Sequence, residues 1–432
     1  METNNTIKLD SDATTSQIHL RPILLVLLPF GFGYYLSYLY RTVNVVIAPN
    51  LAKDLDLSAA DLGFLTSIYF IFFAAFQTPL GLILDRYGPR RVQIFLLVFA
   101  AIGSAIFAMS DSMAILALAR GMIGLGVSGC LMGALKANVE WFPTERLPLI
   151  NACTMTFGTF GALSATLPVE ILASIFGWRT IFYILSLATV ILILLTIFVI
   201  PSKTIEPNKN LSKSLSLRGQ IHALFKIYQD SSFWRIAVVT LVHGGVFLSY
   251  QTLWMGPWLA DVAGYNRTEV ANALLFFNIG MFVGVIGFGA LADKLQTLGI
   301  KLISVYSSGV LLSIIVQVLI ASECVSIATI LCAAFGFFGS STLLVYALLG
   351  QMFPRSMAGK VNTAQNMLIF IGAFGVQWCI GLIINYWPNL GEGKYDPAGH
   401  QAAFFVIIFV EILAFIWFLV PTFKNSPSVT SS

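Results

Sequence analysis

The sequence predicts an all-α membrane protein in which twelve transmembrane helices form two pseudo-symmetric six-helix bundles. Three observations support this fold class. Only 10% of the 432 residues are charged and 57% are hydrophobic, whereas about a quarter of the residues in soluble domains are charged. Apolar segments long enough to cross about 30 Å of hydrocarbon as helices recur along the chain. The two halves of the sequence also resemble each other weakly at a nearly constant offset.

Twelve apolar segments are the candidate spans. Helices satisfy their own backbone hydrogen bonds where no water is available, and the alternating pattern of a membrane β-barrel does not occur in this sequence. The candidate spans are 22–50, 60–83, 91–109, 113–140, 147–173, 178–200, 233–259, 270–292, 302–320, 325–350, 361–386 and 402–422.

A polar segment rich in Pro, Ser, Asn and Lys separates the sixth and seventh spans and indicates a cytoplasmic linker. The run that contains Gly81 and Asp85 recurs 208 residues later around Asp293. Similar halves in parallel register are typical of transporters that rock one bundle against the other around a central site. The predicted organisation is a tail at 1–21, a first bundle at 22–200, a linker at 201–232, a second bundle at 233–422 and a tail at 423–432.

The distribution of basic residues predicts the orientation in the membrane. Placing the N-terminus in the cytoplasm puts most of the 24 Lys and Arg residues on the cytoplasmic side. The positive-inside rule therefore predicts that both termini are cytoplasmic. This asymmetry accounts for the formal net charge of +4, so no nucleic-acid partner is expected.

The first span contains a permanent positive charge, Arg41. Residues three and four apart share one side of a helix, and the polar stripe on this side consists of Tyr34, Ser37, Tyr38, Arg41 and Asn44. An arginine on the lipid face near the helix centre costs at least about 2.5 kcal/mol, and charges inside spans commonly mark substrate or ion paths. The stripe is therefore predicted to face a cavity and bind substrate. The alternative is that the Arg41 side chain extends to the outer interface.

Aromatic and polar side chains also recur at helical spacing in the seventh span. The members of this second stripe are His243, Phe247, Tyr250, Gln251, Trp254 and Trp258. Of these, His243, Tyr250, Gln251 and Trp254 are predicted to hold the organic part of a substrate opposite the first stripe. The alternative is ordinary packing together with an interfacial aromatic belt. The Gly-Pro pair that ends at Pro257 is predicted to break this helix near its outer end.

Three further ionisable residues inside predicted spans are candidates for function. Arg120 is predicted to hydrogen-bond the backbone and hold a bend in the fourth span, with proton handling as the alternative. Lys136 either reaches the cytoplasmic interface or lies at the inner mouth of a substrate cavity. Glu411 stands mid-span with no neighbouring charge on its own helix, which predicts a coupling role, as does the titratable His243; the alternative is a peripheral position in the last helix.

The loop after the second span carries a family motif. GLILDRYGPRR, from Gly81 to Arg91, resembles the G-x-x-x-D-R/K-x-G-R-R/K signature of the major facilitator superfamily, with Pro89 where a basic residue is usual. A degenerate copy, GALADKL, lies in the second half, and Arg120 resembles the fourth-helix arginine of that superfamily. The residues that the resemblance implies for gating are Gly81, Asp85, Arg86, Gly88, Arg90, Asp293 and Arg120. The alternative is a basic loop that only sets topology.

The stretch YLYRTVNVVIAPN also resembles the first span of the anion:cation symporters and sugar-phosphate permeases within that superfamily. In that branch an arginine at this place contacts the carboxylate or phosphate of the substrate, which implies that Arg41 is the anion anchor. The sequence departs from the branch at Tyr40 and Val127, where symporters often carry acids. It also departs at Ser249, where phosphate antiporters have a second arginine. One arginine favours a monocarboxylate over a dianion.

The implied function is secondary active transport of a small organic anion, namely a carboxylate, sugar acid or sugar phosphate, across the cytoplasmic membrane of a bacterium by alternating access. Import coupled to H⁺ or Na⁺ is expected, by a monomer in the lipid bilayer. The alternatives are efflux of drugs or metabolites, and a receptor of the same fold that binds a ligand without transporting it. No nucleotide-binding, hydrolase or metal-ligand motif occurs in the sequence, so no enzymatic activity, cofactor or metal is expected.

Overall fold

The computed structural model describes residues 23–200, 217–353 and 357–420. The predicted tails at 1–21 and 423–432 and the first part of the predicted linker, 201–216, lie outside the described residues. The described chain is almost entirely helical, as the apolar pattern predicts.

The described residues form seventeen α-helices, together with short π- and 3₁₀-helical turns and one two-stranded hairpin. The helices of the first half are α1 (Leu28–Thr42), α2 (Asn44–Asp54), α3 (Ala59–Tyr87), α4 (Pro89–Met109), α5 (Met113–Val127), α6 (Cys130–Trp141), α7 (Leu147–Ser164) and α8 (Leu167–Val199). The linker helix is α9 (Leu217–Tyr228). The second half comprises α10 (Ser231–Ser249), α11 (Met255–Asp261), α12 (Arg267–Thr297), α13 (Leu302–Ala321), α14 (Ala328–Gly339), α15 (Leu344–Met352), α16 (Ala358–Ile384), β1 (Asn389–Gly391), β2 (Lys394–Tyr395) and α17 (Pro397–Leu419).

The described residues include eleven helices that are long and apolar enough to cross a membrane. The longest of them, α8, is two helices that meet at Gly177, where the backbone adopts φ 78° and ψ 163°. The part of α8 before this kink is separated from the end of α7 by only two residues, so the fifth predicted span is formed by two helices and the sixth begins at Trp178. These two segments account for the difference between eleven helices and twelve predicted spans.

Besides the fifth, four predicted spans are interrupted, which the apolar pattern does not reveal. The first span breaks at Val43, the fourth at residues 128–129, the seventh has a π-helical turn at Tyr250–Trp254, and the tenth has a 3₁₀ turn at Ser340–Leu343. Each is the first span of a group of three, and all four contribute to the central cavity described below. Discontinuous helices are common at transporter sites, because irregular backbone is tolerated where it lines a cavity.

The predicted break at Pro257 is wrong. The π-helical turn Tyr250–Trp254 comes first, and α11 then continues through Pro257 to Asp261. A proline ring clashes with the carbonyl four residues earlier in a regular helix. The wider π turn directly before α11 gives that carbonyl a different position.

The pseudo-symmetry of the two halves extends to their helix starts. Ser58 and Asp61 form a capping box at the start of α3, and Asn266 and Glu269 form one at the start of α12. The two boxes are 208 residues apart, the offset found in the sequence. In each box the side chains satisfy backbone N–H groups that the first helical turn leaves unpaired.

The two halves meet along α3 and α16, which pack against each other. The end of the bundle that carries Asn50 and Leu57 is predicted to face away from the cytoplasm and is called the outer end; the opposite end, near Asp85, is the inner end. At the outer end Arg267 donates to Asn50 Oδ1 and Gln377 Nε2 donates to Thr66 Oγ1 (2.7 Å). These contacts join the halves across the outer end.

A small β-hairpin, which no sequence pattern predicted, covers the outer end. Strands β1 and β2 pair in an antiparallel ladder between α16 and α17. Tyr395 is 3% exposed, and its hydroxyl donates to Leu57 O (3.4 Å) in the other half. Glu392 at the hairpin tip lies 3.8 Å from Lys53. The hairpin therefore ties the second half to the first where the outer end is closed.

The backbones of the two halves also approach each other closely at the outer end. A Cβ atom at Gly381 of α16 would lie 2.3 Å from the Ala59 carbonyl oxygen, and one at Gly256 of α11 would lie 2.1 Å from the Val45 carbonyl oxygen. Both contacts cross between the halves. Only glycine allows this approach, so these two positions are matched to the closed outer end.

Candidate functional site

A central cavity of about 170 Å³ lies between the two halves. Residues from both halves line it, and most of them belong to the interrupted spans. The lining residues are Tyr34, Ser37, Tyr38, Arg41, Phe73, Val127, Leu131, Gly244, Phe247, Leu248, Gln251, Met281, Gly339, Ser340, Thr342, Leu343, Asn366 and Phe370.

Arg41 is the one charged residue among those lining the cavity. Its guanidinium carbon lies 4.7 Å from the ring centroid of Tyr38 and 5.2 Å from that of Phe73, both in the first half. It also lies 5.1 Å from the ring centroid of Phe370, which belongs to the second half. The guanidinium is therefore held by aromatic rings from both halves at once.

The Arg41 guanidinium has no anionic partner in the part of the chain that the structure describes. The residue is 8% exposed, and its Nε has no hydrogen-bond partner among the described residues. Each cation–π contact contributes about 0.5–2 kcal/mol, whereas desolvating an ion costs several kcal/mol. The aromatic contacts therefore offset only part of the cost, and an anion in the cavity would stabilise this site.

Polar groups around Arg41 come from residues that sequence reasoning missed. Thr342 Oγ1 has no hydrogen-bond partner among the described residues, and Asn366 Oδ1 accepts from Tyr346 (2.9 Å). The two phenylalanines that hold the guanidinium together with Tyr38, namely Phe73 and Phe370, were also missed. The phenylalanines carry no local signal, because they are ordinary residues for an apolar helix and only the packing of the two halves brings them to the cavity. Asn366 is a polar residue inside the eleventh predicted span, and this was the signal that could have found it.

Of the residues predicted to bind substrate, Tyr34, Tyr38, Arg41 and Gln251 line the cavity. Asn44, at the end of the same predicted stripe, does not, because the chain bends at Val43 and continues into the closed outer end.

The other predicted binding residues also lie away from the cavity in this conformation. Trp254 is fully buried at the outer end, where Nε1 donates to Gln377 O (2.8 Å). Tyr250 stacks on Phe404 of α17 (centroids 4.2 Å apart). His243 contacts Glu411, and Lys136 pairs with Asp85. These positions do not support direct substrate contacts by the four residues.

A family model described as Major Facilitator Superfamily matches residues 30–376 of the chain. The chain belongs to the major facilitator superfamily. It is 22% identical over 382 residues to the probable sulfoacetate transporter SauU of Cupriavidus necator, covering 84% of this chain and 86% of that protein. It is 24% identical over 428 residues to the glucose transporter GlcP of Staphylococcus epidermidis, covering 90% and 92%.

A solved structure with a similar fold is the inward-facing, unoccupied crystal structure of a bacterial homologue of the human lysosomal transporter Spinster. The TM-score is 0.73 at 18% identity, over 93% of this chain and 97% of that one. The predicted fold class and family are thereby confirmed, and the protein is a multi-pass membrane transporter of a superfamily that is not enzymatic.

The superfamily signature loop connects helices within the first half. Gly88 ends α3 with φ 77°, a left-handed conformation that glycine adopts without strain. Arg90 donates from Nε to Thr196 O (3.2 Å) and from Nη2 to Ile197 O (2.6 Å) at the end of α8, where a basic group complements the helix dipole. Arg86 lies over the ring of its neighbour, with the guanidinium carbon 5.4 Å from the centroid.

Gly81, the first residue of the signature, has nothing within 4 Å of a Cβ built on its backbone. In this conformation no close approach of another helix requires glycine at this position. Asp293 is the acidic residue of the degenerate copy, GALADKL, in the second half. It is exposed and forms no ion pair among the described residues. The gating role of the signature stays a prediction.

Arg120 is fully buried between two phenylalanine rings. Its guanidinium carbon lies 4.6 Å from the centroid of Phe107 and 5.1 Å from that of Phe182. In the described ranges none of its three nitrogens has a hydrogen-bond partner. The predicted backbone hydrogen bond is therefore not formed, and aromatic packing holds this arginine instead.

Asp85 of the signature forms an ion pair with Lys136 of α6. We expect Asp85→Asn to slow transport while leaving ligand affinity unchanged, because the pair lies at the inner end and does not line the cavity. The side chains are 41% and 26% exposed, and such pairs contribute about 0.2–1 kcal/mol, which corresponds to at most about a fivefold change in rate. The measurement is initial uptake rate beside ligand-induced thermal stabilisation.

Asp56→Asn is the matched control for that prediction, since it makes the same change at an exposed aspartate that forms no ion pair among the described residues. Equal losses of rate and of ligand stabilisation in Asp85→Asn would contradict a role confined to conformational change.

A larger cavity of about 570 Å³ lies among α12, α13 and α14 of the second half. Its lining, from Gly287 to Phe338, is almost entirely apolar and includes no charged residue. Leu291 and Leu312 at this cavity are 44% and 40% exposed, as expected for side chains that face lipid. This cavity is lined by the second half alone, whereas alternating access requires a site that both halves line.

Proposed function

We propose that this major facilitator transporter imports a small organic anion with one negative charge, a carboxylate, which binds to Arg41 in the central cavity. The observation that supports this proposal is a buried guanidinium in a cavity between the halves, with no carboxylate of the described chain beside it. A planar guanidinium donates two parallel hydrogen bonds to a carboxylate, which adds geometric specificity to the attraction between the charges.

The contact with Phe370 suggests how binding is linked to alternating access. The guanidinium packs on rings of the first half and on Phe370 of the second, so an anion bound to Arg41 changes contacts that join the halves. A ligand shifts a conformational equilibrium only through its different affinities for the two states. The surroundings of Arg41 differ between the two states, because Phe370 moves away from the guanidinium when the halves separate around the cavity. The affinity of Arg41 for an anion therefore differs between the states as well.

A single negative charge is favoured by the composition of the cavity wall. Among the described lining residues Arg41 is the one basic side chain, and Ser249, which stands where a second arginine would be needed, is buried with its hydroxyl bonded to Gly245 O (2.7 Å). The volume of about 170 Å³ corresponds to about six water molecules at about 30 Å³ each. A small solute such as a sugar acid is therefore the expected substrate class.

Glucuronate and glucose provide a matched pair of ligands, because they differ at the carboxylate group. We expect glucuronate, and not glucose, to stabilise the purified protein in a thermal-shift assay and to accumulate in proteoliposomes. The glucose transporter among the relatives makes this comparison decisive, since equal stabilisation by the two sugars would contradict an anion site. Sulfoacetate tests whether a second acidic group is tolerated.

The same proteoliposomes separate import from the other functions considered. A receptor would bind glucuronate without accumulating it against a gradient. Under an inward ion gradient, which drives import in our proposal, an efflux transporter would instead expel glucuronate that had been loaded into the vesicles. Either result would contradict the proposed function.

A further inference from the structure

A histidine and a glutamate meet in the interior of the second half. His243 of α10 and Glu411 of α17 contact each other through Nδ1 and Oε1, and both side chains have no solvent exposure. They are 168 residues apart in the sequence. Neither lines the central cavity.

The pair is part of a regular antiparallel packing of α10 against α17. On its inner side Arg235 Nε donates to Phe418 O (2.9 Å). On its outer side Tyr250 stacks on Phe404. The residue numbers of each facing pair add to nearly the same value, as antiparallel helices in constant register require. The histidine and the glutamate are thus brought together by the main packing of two helices and not by a chance rotamer.

Each member of the pair keeps one buried polar atom without a partner. His243 Nε2 and Glu411 Oε2 have no hydrogen bond to any described residue, and neither has the hydroxyl of Tyr250 two turns away. A purely structural pair would be expected to satisfy these atoms, because an unpaired buried polar atom costs about 1–3 kcal/mol. The site therefore retains groups that can accept or donate a proton.

Few other ionisable groups face this pair. Tyr250 of the π-helical turn after α10 and Tyr306 of α13 lie within electrostatic reach of the Glu411 carboxyl. No lysine or arginine of the described residues forms an ion pair with it. The remaining ionisable groups on helices packed against α17 lie toward its ends or at exposed positions: Arg235, Asp261, Lys360, Cys379 and His400.

The number of protons on the pair determines its net charge. With one proton it is neutral overall, and the proton is assigned to the Glu411 carboxyl, because neutral imidazole and carboxylic acid avoid two charged groups in a buried site. Without that proton a lone carboxylate would remain in a dry interior, which is strongly unfavourable. The proton therefore leaves only when water reaches the site, and this condition suits a coupling site that changes access between the two sides of the membrane.

We infer that His243 and Glu411 form a binding site for one proton that drives transport. The link between this proton and anion import rests on the proposed function. One proton carried with one monoanion makes each cycle electroneutral, so that an imposed membrane potential leaves the final accumulation ratio unchanged.

The structure connects this site to the central cavity through α10. His243 faces α17, while its neighbour Gly244 lines the cavity, as do Phe247 and Gln251 further along the same helix. The π-helical turn Tyr250–Trp254 follows directly, and π turns commonly mark functional sites in helices. A movement of α10 on loss of the proton would therefore change the cavity wall and the proton site together.

Infrared difference spectroscopy of the protein in lipid tests the site without a substrate. Spectra recorded across a pH series are expected to show a protonated-carboxyl band that is absent in Glu411→Gln. His243→Gln should keep the band but move its midpoint, which provides a second variant if Glu411→Gln fails to fold. Asp261→Asn, which removes the carboxyl beside His400 (3.0 Å), is the matched control and should leave the Glu411 band unchanged.

Transport in proteoliposomes tests the coupling, with glucuronate as the probe. We expect Glu411→Gln to retain exchange of internal for external glucuronate but to lose accumulation driven by a pH gradient, so that the internal concentration only equals the external one. The Asp261→Asn control should retain accumulation.

Two results would overturn the proton site: a wild-type infrared spectrum with no titrating carboxyl that depends on Glu411, or full pH-driven accumulation by Glu411→Gln. Accumulation driven by a sodium gradient and lost in Glu411→Gln would replace the proton by sodium and also contradict it. If the wild-type protein neither exchanges nor accumulates glucuronate, the proposed function fails, and the infrared titration still decides whether the pair binds a proton.

Discussion

Replacing Arg41 with alanine is expected to abolish both the stabilisation by glucuronate and its uptake. Truncating one partner of a buried, hydrogen-bonded charge pair costs about 2–5 kcal/mol, or roughly 30- to 4000-fold in affinity. The substrate-free protein should be at least as stable as the wild type, because Arg41 has no ion-pair partner among the described residues and its removal relieves the cost of a desolvated charge. Thermal unfolding with and without glucuronate measures both effects.

Two variants sharpen this prediction. Arg41→Lys keeps the charge but cannot grip a carboxylate with two parallel hydrogen bonds, so an intermediate loss of affinity is expected. Arg179→Ala removes a positive charge from an ion pair with Asp111 at the outer end and should leave the ligand response intact. A glucuronate response that survives in Arg41→Ala would remove this arginine from the site.

Adding a methyl group at Gly381 is expected to prevent the outer end from closing. In the closed state the new Cβ atom would lie 2.3 Å from the Ala59 carbonyl oxygen, so the halves must move apart by about 1 Å to reach ordinary contact. Overpacking of this kind costs about 1–3 kcal/mol, which corresponds to a shift of roughly 5- to 150-fold in the ratio of open to closed states. Transport should fall because one half of the cycle becomes less populated.

Thiol cross-linking across the outer end measures this shift. Cysteines introduced as Lys53→Cys and Glu392→Cys, whose native side-chain tips lie 3.8 Å apart, should be joined more slowly by a short bis-maleimide when Gly381 is replaced by alanine. Gly375→Ala is the control, since the same helix has nothing within 4 Å of a Cβ atom there. Equal cross-linking rates in the two alanine variants would show that the outer end closes without the close approach at Gly381.

The sequence predicts the polar stripe of the candidate site but not its phenylalanines. Arg41, Tyr34 and Tyr38 share a helical face, and a charge in a span must avoid lipid, so periodicity and solvation energy alone indicate that they face a cavity. Phe73 and Phe370 carry no such signal. A phenylalanine is equally stable against lipid, against a neighbouring helix or beneath a guanidinium, so its sequence position does not reveal its role.

Some residues that are predicted to bind substrate lie away from the cavity, because a helical stripe can contact several neighbours. His243 and Tyr250 share a stripe with Gln251 and Trp254, yet these residues point to different neighbours: α17, the cavity and the closed outer end. The stripe is broad, and a π-helical turn changes its phase. Lys136 was indicated as a basic residue inside a span, but only the packing of α6 against α3 provides Asp85 as its partner.

By itself the sequence determined which solvent the chain folds in, how many times it crosses the membrane, the relation between its halves and the single charge in the first span. These are consequences of composition, apolar periodicity and local motifs, which act over about one helix length. The tertiary structure decided which helices meet, and with them the aromatic cage of Arg41, the pairing of His243 with Glu411 and the closure of the outer end. Such partners lie tens to hundreds of residues apart, and their choice depends on the packing energy of whole helices, which no local pattern encodes.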